Sequence, residues 1–339
     1  MADNFFTVEI GEKHTRVIDA DIKKEKLTLL SAGYDFTTKD YFSSVNAQIL
    51  ETQAKLIETL ANNLKIKKKD VGVIIPDGQT YSQIIEMPKL NEKELLSAIR
   101  YQADQFVPMP IEEVSLDIEI LKENLETRRL LILIVAAPKI LVDKIDKTVT
   151  TAGLNPIFLK NELSSFINLP SQFFKPEDKD DTLIFNLGYS NSSLYILRGN
   201  DHLIINNRTF QYGLNIFIRD LIVNLGIDEN KAFSMLKEIG FDYSASVNLK
   251  PLLEPLSTEL TAQIEKGILL GKNNYQLDIK KIVIFNYDSY IKGIVGKIED
   301  VLKLPTTSLN LTQNIVNNPI KSAFESELSS FVSNIGGQI

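Results

Sequence analysis

One pattern, three short apolar strands joined by glycine turns, occurs near the start of each half of this 339-residue chain. The first copy lies before residue 37, where apolar and polar residues alternate and the first turn falls at Gly11. The second copy is predicted at 182–186, 193–197 and 202–206, with its first turn at Gly188. Alternation with a period of two residues is typical of half-buried antiparallel strands. Helical periodicity follows each copy, so the sequence predicts an α/β protein with two lobes related by duplication.

Between the two copies, a strand, helix, strand, strand, helix pattern runs from about Tyr81 to Lys160 and predicts an inserted α+β subdomain. Asn91 and Glu94 form the signature of a capping box, which marks the start of its first helix. A proline-containing stretch of alternating charge at 170–181 is expected to link the lobes. The predicted domains are a first lobe at 1–181, carrying the insertion at about 81–160, and a second lobe at 182–339, carrying a helical subdomain at about 214–272.

The composition removes several classes of function. The chain has no cysteine and only two histidines, so cysteine nucleophiles, thiolate zinc sites and multi-histidine centres are excluded, and we predict no metal site. A formal net charge of −7 argues against nucleic acid as a partner. The N-terminus lacks the pattern of a secretory signal, and the apolar run at 130–137 is far shorter than the roughly 20 residues of a membrane-spanning helix. We expect a cytoplasmic protein that reaches a membrane only through its partners.

The stretch LLSAIRYQADQFVPMPIEEVSLDIEIL, at 95–121, resembles the PilM family of actin-like, FtsA-related proteins of type IV pilus assembly. Four further stretches match the family in order and spacing: VGVIIPDGQTYSQIIEMPKL at 71–90, LLILIVAAPKILVDKIDKTVTTAGLNP at 130–156, FNLGYSNSSLYILRGNDHLIINNRTFQYGLN at 185–215 and KIVIFNYDSYIKGIVGKIEDVLKLP at 281–305. The resemblance implies an actin-like (FtsA-like, ribonuclease H-like) fold in which the insertion belongs to the first lobe.

The resemblance also implies a nucleotide cleft between the lobes, bordered by two phosphate loops and an adenosine-binding stretch. The first loop reads Glu9-Ile10-Gly11-Glu12-Lys13, with Arg16 shortly after it. Glu12 stands where the family has serine or threonine. A carboxylate roughly 4 Å from a phosphate charge costs about 4 kcal/mol at an effective dielectric constant of about 20. Lys13, Arg16 or magnesium would offset this repulsion only in part.

The second loop and the adenosine stretch also depart from the family. The second loop reads Asn186-Leu187-Gly188-Tyr189-Ser190-Asn191. Asn186 replaces an aspartate and is neutral, so it cannot act as a base or add charge to a metal site. Tyr189 stands where the family has a small residue. The adenosine stretch reads Asn286-Tyr287-Asp288 instead of two or three glycines, and Lys266 lies on a helix that passes near the adenosine in the family.

These departures change the chemistry that we expect. We predict no catalytic residue and no cofactor, with nucleotide hydrolysis and tight nucleotide binding lost, while Gly11 and Gly188 keep the turns of the fold. One alternative is an active ATPase that binds Mg-ATP and whose nucleotide state gates assembly, with Glu9 and Lys13 replacing the usual ligands. The cytoplasmic module of type II secretion platforms, and sugar-kinase or acetate-kinase chemistry, are further alternatives on the same fold.

The resemblance implies protein partners as well. In PilM-like proteins, a groove between the insertion and the first lobe takes the cytoplasmic N-terminal tail of the membrane protein PilN. The resulting scaffold of the inner-membrane platform is linked to the pilus motor ATPases, and self-association is also open. An extended tail can be captured by strand addition and side-chain pockets. We predict the partner-binding groove near Phe106, Val107, Pro108, Pro110 and Val114.

Two further expectations concern positions outside these motifs. His14 falls in the first hairpin turn and is expected on the surface rather than at a phosphate. The C-terminal region is expected to form one amphipathic helix that packs onto the second lobe, with a partner-binding tail as the alternative. Its apolar stripe consists of Ile320, Phe324, Leu328, Phe331 and Ile335.

Overall fold

The first lobe is built on a five-stranded mixed sheet. Its strands are β1 (Phe5–Ile10), β2 (His14–Lys23), β3 (Lys26–Phe36), β4 (Asp70–Ile75) and β8 (Asn155–Asn161). The strand order is β3-β2-β1-β4-β8, with an antiparallel meander from β1 to β3 and parallel pairing of β1 with β4 and of β4 with β8. This computed structural model describes residues 5–23, 26–167, 169–170, 174–175, 177–242, 244 and 247–339, so part of the predicted linker at 170–181 lies outside the described residues.

The second lobe repeats this sheet with the same topology. Its strands are β9 (Thr182–Leu187), β10 (Ser192–Arg198), β11 (Leu203–Phe210), β12 (Lys281–Asn286) and β13 (Thr306–Ser308). The order is β11-β10-β9-β12-β13, again an antiparallel meander followed by two parallel additions. The predicted duplication of an α/β lobe is therefore confirmed at the level of strand order and direction.

Helices cover the faces of both sheets. The α-helices are α1 (Ala47–Asn63), α2 (Glu92–Phe106), α3 (Lys139–Thr151), α4 (Glu162–Phe166), α5 (Leu214–Leu225), α6 (Glu229–Glu238), α7 (Lys250–Tyr275), α8 (Ile294–Leu302), α9 (Pro319–Phe324) and α10 (Val332–Gly337). Short 3-10 helices lie at Asp77–Gln79, Ile111–Glu113, Tyr287–Tyr290 and Glu325–Phe331. Ile57 of α1 and Val149 of α3 are fully buried in one cluster with Val73 of β4. Across the described ranges, no helix is both long enough and apolar enough to cross a bilayer.

The insertion is a three-stranded antiparallel sheet covered by α2. Its strands are β5 (Tyr81–Pro88), β6 (Val114–Asn124) and β7 (Arg129–Pro138), in the order β5-β7-β6. The capping box at the start of α2 is formed, because the Glu94 N–H donates to Asn91 Oδ1 at 3.0 Å and the Asn91 N–H donates to Glu94 Oε2 at 3.1 Å. The insertion ends earlier than the expected residue 160. Because α3 packs on α1 and β8 pairs with β4, the polypeptide after Pro138 already belongs to the first lobe.

The C-terminal region takes a different path from the one predicted. The expected single helix is divided into α9, a 3-10 helix and α10, and α10 lies against β1, β2, β4 and α4 of the first lobe. Thr7 Oγ1 of β1 donates to the carbonyl oxygen of Asn334 at 3.0 Å. A Cβ at Gly336 would lie 2.0 Å from the Ser165 carbonyl oxygen, so only glycine permits this approach. Phe331 and Ile335 join Ile18 of β2 in a core that also contains Ile184 of β9 and Phe285 of β12, so the C-terminal region packs between the two lobes and not on the second alone.

Candidate functional site

The cleft lies where the carboxyl ends of β1, β4, β9 and β12 meet. Ligands of open α/β sheets bind at this edge, beyond the ends of parallel strands. The structure brings the predicted phosphate loops and adenosine stretch together here, around a cavity of about 10 Å³. The cavity is lined by Glu9, Gly11, Glu12, Pro76, Glu162, Gly188, Tyr189, Asn191, Asn286 and Tyr287. A volume of this size holds about one water molecule, whereas sites for small ligands measure roughly 300 to 1,000 Å³.

The Glu12 side chain bridges the two phosphate loops. Its Oε2 accepts a hydrogen bond from the Ser190 backbone N–H at 2.8 Å, and its Oε1 accepts one from Gln79 Nε2 at 3.0 Å. A backbone N–H at such a turn is the kind of donor that holds phosphate oxygens in this type of site. The donor of the second loop is therefore already engaged by a carboxylate of the same chain, in the place where an anion would bind.

Glu9 and Arg16 form an ion pair beneath the first loop. Arg16 Nη1 lies 2.5 Å from Glu9 Oε1, and the two side chains are 1% and 2% exposed. The guanidinium also lies 4.8 Å from the centre of the Tyr287 ring. Burial raises the pKa of Glu9, and the charge of Arg16 opposes that shift. Within the described residues, Glu9 Oε2 and Arg16 Nη2 have no hydrogen-bond partner.

Two buried carboxyl groups that the sequence analysis missed complete the floor of the cleft. Glu162 accepts the Asp77 N–H on Oε2 and Asn286 Nδ2 on Oε1, both at 3.0 Å. Asp77 accepts the Leu163 N–H at 2.9 Å and the Tyr195 hydroxyl at 2.5 Å. Burial raises the pKa of both carboxyl groups, and their mutual repulsion raises that of Glu162 further. An acidic residue lies just after the end of β4, at Asp77, and of β8, at Glu162, and this was the signal available in the sequence.

Asn186 and Asn286 belong to the same network. Asn286 Nδ2 donates to Asn186 Oδ1 at 2.9 Å, which joins the second loop to the adenosine stretch by side chains. Asn286 adopts a φ of 83°, an unusual angle for a residue with a side chain. Among the described residues, no group of three or more His, Cys, Asp or Glu side chains is arranged to hold a metal ion. With Glu12 at the anion position and a cavity for one water, the residues of the cleft do not fit Mg-ATP in this conformation.

The entrance to the cleft is closed by contacts between the lobes. Lys13 Nζ lies 2.7 Å from Glu229 Oε1 on α6, and the Tyr189 hydroxyl donates to the same oxygen at 3.1 Å. The ammonium also lies 4.9 Å from the centre of the Phe36 ring and 5.4 Å from that of Phe233. Lys13 is therefore a bridge between the first hairpin and the helical part of the second lobe.

The expectation that His14 lies on the surface is wrong. His14 is 2% exposed, and its Nδ1 forms a hydrogen bond with the Tyr287 hydroxyl at 3.1 Å. The rings around it come from both lobes: Tyr34, Phe36, Phe233, Tyr287 and Tyr290. Burial, and then the positive charges of Arg16 and Lys13, lower the pKa of His14 to about 2. The side chain is therefore neutral and is part of an aromatic cluster that closes the cleft from one side.

We expect His14 to make the protein sensitive to acid. Its folded pKa of about 2 lies below the unfolded value of 6.5, so its contribution is intact above pH 6.5 and is lost as the pH falls below that value. At pH 4.5 the loss should reach about 2 to 3 kcal/mol. Urea unfolding at pH 7 and pH 4.5 would measure how much unfolding free energy each protein loses on acidification. The wild type should lose more than His14→Phe, because phenylalanine keeps a ring but cannot titrate. Equal losses in the two proteins would contradict the assignment.

Two residues that were predicted to contact the nucleotide lie outside the cleft. Asp288 turns away from the cleft, where Ser308 Oγ donates to its Oδ2 at 2.5 Å and Ser329 Oγ to its Oδ1 at 2.8 Å. Lys266 is exposed on α7, outside the lining of the cleft, with Gln263 Oε1 at 3.5 Å from its Nζ. The serine partners of Asp288 are 20 and 41 residues away, a distance at which no local pattern predicts contact.

The residues predicted for the partner groove lie at the junction of α2 and β6. Val107 and Val114 are buried in a small cluster with Ala136, while Pro108 and Pro110 are exposed. Phe106 is the last residue of α2, and its side chain lies outside the described residues. The exposed surface of this segment is therefore formed by its prolines rather than by its valines.

Two lobes with the same five-strand order, closed around loops at the ends of parallel strands, define a protein of the actin-like class. The chain matches the solved ethanolamine utilization protein EutJ from Carboxydothermus hydrogenoformans with a TM-score of 0.52 and 11% identity, over 98% of this chain and 88% of that one. It matches the solved PilM-PilN type IV pilus biogenesis complex with a TM-score of 0.83 and 19% identity, over 100% of this chain and 98% of that one.

The family is shown by the sequence match. The model of the family described as type IV pilus assembly protein PilM matches residues 7–336. The chain therefore belongs to the PilM family of type IV pilus assembly proteins, as the resemblance of its motifs indicated.

Proposed function

We propose that this protein is a scaffold of the inner-membrane platform of a type IV pilus, which acts by binding partners and does not hydrolyse nucleotide. The observation that carries the second part is the bond from the Ser190 N–H to Glu12, which occupies the anion position of the second loop. Asn186 supports it, because a neutral amide replaces the carboxylate expected to act on water or metal. The Asn286 and Tyr287 side chains fill the space next to these loops.

We propose a PilN-type membrane protein as the partner, bound through its cytoplasmic N-terminal tail. Membership of the PilM family supports this proposal, as does the likeness over the whole chain to a structure of PilM in complex with PilN. Such a tail would hold the protein at the cytoplasmic face of the inner membrane and link it to the motor ATPases, with self-association as an additional contact.

The proposed tail groove lies between the insertion and the first lobe. The strands β6 and β8, each at the end of its sheet, border it, and end strands can accept a further strand. Burial raises the pKa of Glu119 on β6, and the positive charge of Lys160 on β8 opposes that shift, so the two strands are near each other. Ile120 of β6 and Ile157 of β8 are 55% and 49% exposed and are available to an apolar tail. Pro108 and Pro110 lie just before β6, at one end of this groove.

The loss of nucleotide binding predicts a flat thermal-shift experiment. A ligand at 100 times its dissociation constant stabilises a protein by about 2.7 kcal/mol, which raises Tm by about 5 to 10 °C for domains of about 150 to 250 residues. We expect millimolar Mg-ATP and Mg-ADP to change the Tm of the wild-type protein by less than about 1 °C. A shift of several degrees, together with magnesium-dependent turnover, would contradict the proposal and support the ATPase alternative.

The proposed tail groove predicts a selective binding defect. A synthetic N-terminal tail of the neighbouring PilN-type protein should bind the purified chain saturably in fluorescence anisotropy. Ile157→Glu should weaken this binding about tenfold or more, because it places a charge where apolar surface would be buried. Val223→Glu on α5, where the side chain is 80% exposed, is the matched control and should bind like wild type. Absence of saturable binding to wild type would contradict the partner assignment.

A further inference from the structure

A second cavity lies outside the cleft, between the insertion and the second lobe. Its volume is about 440 Å³, which is in the range of ligand-binding sites. Four consecutive residues of β5, from Gln83 to Glu86, line one wall. Side chains alternate between the two faces of a strand, so a run of four shows that the edge of β5 faces the cavity. Leu203, Ile205 and Asn206 of β11 line the opposite wall.

Both walls are strands at the ends of their sheets. β5 pairs only with β7 and β11 pairs only with β10, and no backbone hydrogen bond joins either outer edge to another strand within the described residues. A side-chain bond, from Asn207 Nδ2 to the Ser82 carbonyl oxygen at 3.0 Å, joins the two strands at one end of the cavity. An unpaired strand edge is a ready template for a further strand. Arg129 Nη2 also donates to the Glu86 carbonyl oxygen at 3.2 Å, so two carbonyl oxygens of β5 have side-chain donors and the remaining backbone groups of its outer edge face the cavity.

The net charge of the residues around this cavity is positive, opposite in sign to the net charge of the whole chain. Lys122, Arg129 and Arg198 line it and share two carboxylates, since Arg129 pairs with Glu86 and both Lys122 and Arg198 pair with Asp201, whereas the whole chain carries a net charge of −7. Arg129 pairs with Glu86 at 3.1 Å, and both side chains are well exposed. Exposed pairs of this kind contribute little to stability, so the guanidinium can exchange its partner for a carboxylate of a ligand. Ile84 and Leu130 supply buried apolar surface between the cations.

We propose that this cavity binds an extended acidic peptide segment of a partner protein, which adds as a strand to the edge of β5 and places its carboxylates against Arg129, Lys122 and Arg198. The free strand edges favour a peptide over a compact small molecule, since only an extended backbone satisfies the unpaired groups in sequence. The cations favour acidic over basic segments. This site goes beyond the proposed function, because it lies at β5 and β11, whereas the tail groove lies at β6 and β8.

The experiment uses the full chain with methyl-labelled isoleucine and leucine. The probe is a capped pentapeptide of alternating valine and glutamate, and its binding is detected by NMR of the labelled methyl groups. We expect saturable shifts for Ile84, Ile85 and Ile205, and none for Leu269 and Ile268 on the far side of α7. A peptide with lysine in place of glutamate should bind at least about tenfold more weakly, because it loses charge-assisted hydrogen bonds. A glutamate peptide methylated on its backbone nitrogens should also lose binding, because it cannot pair with the strand edge.

A pair of variants tests whether Arg129 binds the carboxylates of the peptide. Arg129→Ala should weaken the glutamate peptide about tenfold, while Arg219→Ala on α5, outside the lining of the cavity, should bind like wild type. The proposal is overturned if no saturable shift occurs at these methyl groups, or if the lysine or N-methylated peptides bind as tightly as the glutamate peptide. Tighter binding of a single-stranded oligonucleotide at the same methyl groups would also overturn it.

Discussion

Replacing Arg16 with methionine is expected to destabilise the protein by about 3 to 5 kcal/mol, because removing one partner of a buried ion pair leaves the other charge without compensation. The remaining partner is Glu9, which is 2% exposed. The loss should be smaller at pH 5 than at pH 8, because burial raises the pKa of Glu9 and protonation removes its charge. Urea unfolding followed by circular dichroism at the two pH values would measure both effects.

Two controls separate the buried pair from a general effect of losing a charge. The double variant Glu9→Gln, Arg16→Met should recover much of the loss, because no buried charge remains. Lys55→Met removes one partner of an exposed pair with Glu58 and should cost less than about 1 kcal/mol. If Arg16→Met were no more destabilising than Lys55→Met, Arg16 and Glu9 would not be a buried pair in solution.

Truncating Phe331 to alanine is expected to cost about 3 to 5 kcal/mol, the range for a large aromatic residue removed from a core. Phe331 is fully buried, with its ring centre 5.3 Å from that of Phe324 and 6.2 Å from that of Tyr34 on β3. The loss should appear where the two lobes meet, as faster hydrogen exchange of the β2 and β12 amides, because the core around Phe331 includes Ile18 of β2 and Phe285 of β12. Thermal unfolding and amide exchange measured by mass spectrometry together test both statements.

The matched control truncates an aromatic ring that is mostly in water. Phe36 is 54% exposed, so Phe36→Ala should cost less than half as much as Phe331→Ala. If amide exchange in Phe331→Ala increased only in the second lobe, the C-terminal region would pack as the sequence indicated and not as the structure shows.

Local sequence patterns predicted most of the fold. Alternation of apolar and polar residues located both meanders, and the capping box at Asn91 located the start of α2, because these signals involve residues close together in sequence. The path of the C-terminal region was not predictable in the same way. Its apolar stripe fits any apolar surface, and the choice of the first lobe depends on close contacts such as that of Gly336 with Ser165. The end of the insertion at Pro138 likewise depends on long-range strand pairing.

The site was predicted in part. The motifs identified which loops border the cleft and that Glu12, Asn186 and Tyr189 depart from the family. The sequence did not show that Glu12 reaches Ser190, which is 178 residues away, nor that Glu162 and Asp77 lie beneath the loops. His14 was placed wrongly because a turn position says nothing about rings that approach from the other lobe. For Glu12 and His14 the missing information was contact between the lobes, and for Glu162 and Asp77 it was contact between residues 85 positions apart within the first lobe.

The course of α10 affects how the protein is made as well as how it is held together. The residues that complete the core behind β1 and β2 are translated after the whole second lobe. At synthesis rates of about 5 to 20 residues per second, the roughly 150 residues between the two lobes' boundary and α10 delay that step by about 8 to 30 s. During this interval the apolar face that α10 covers in the folded protein is exposed on the nascent first lobe.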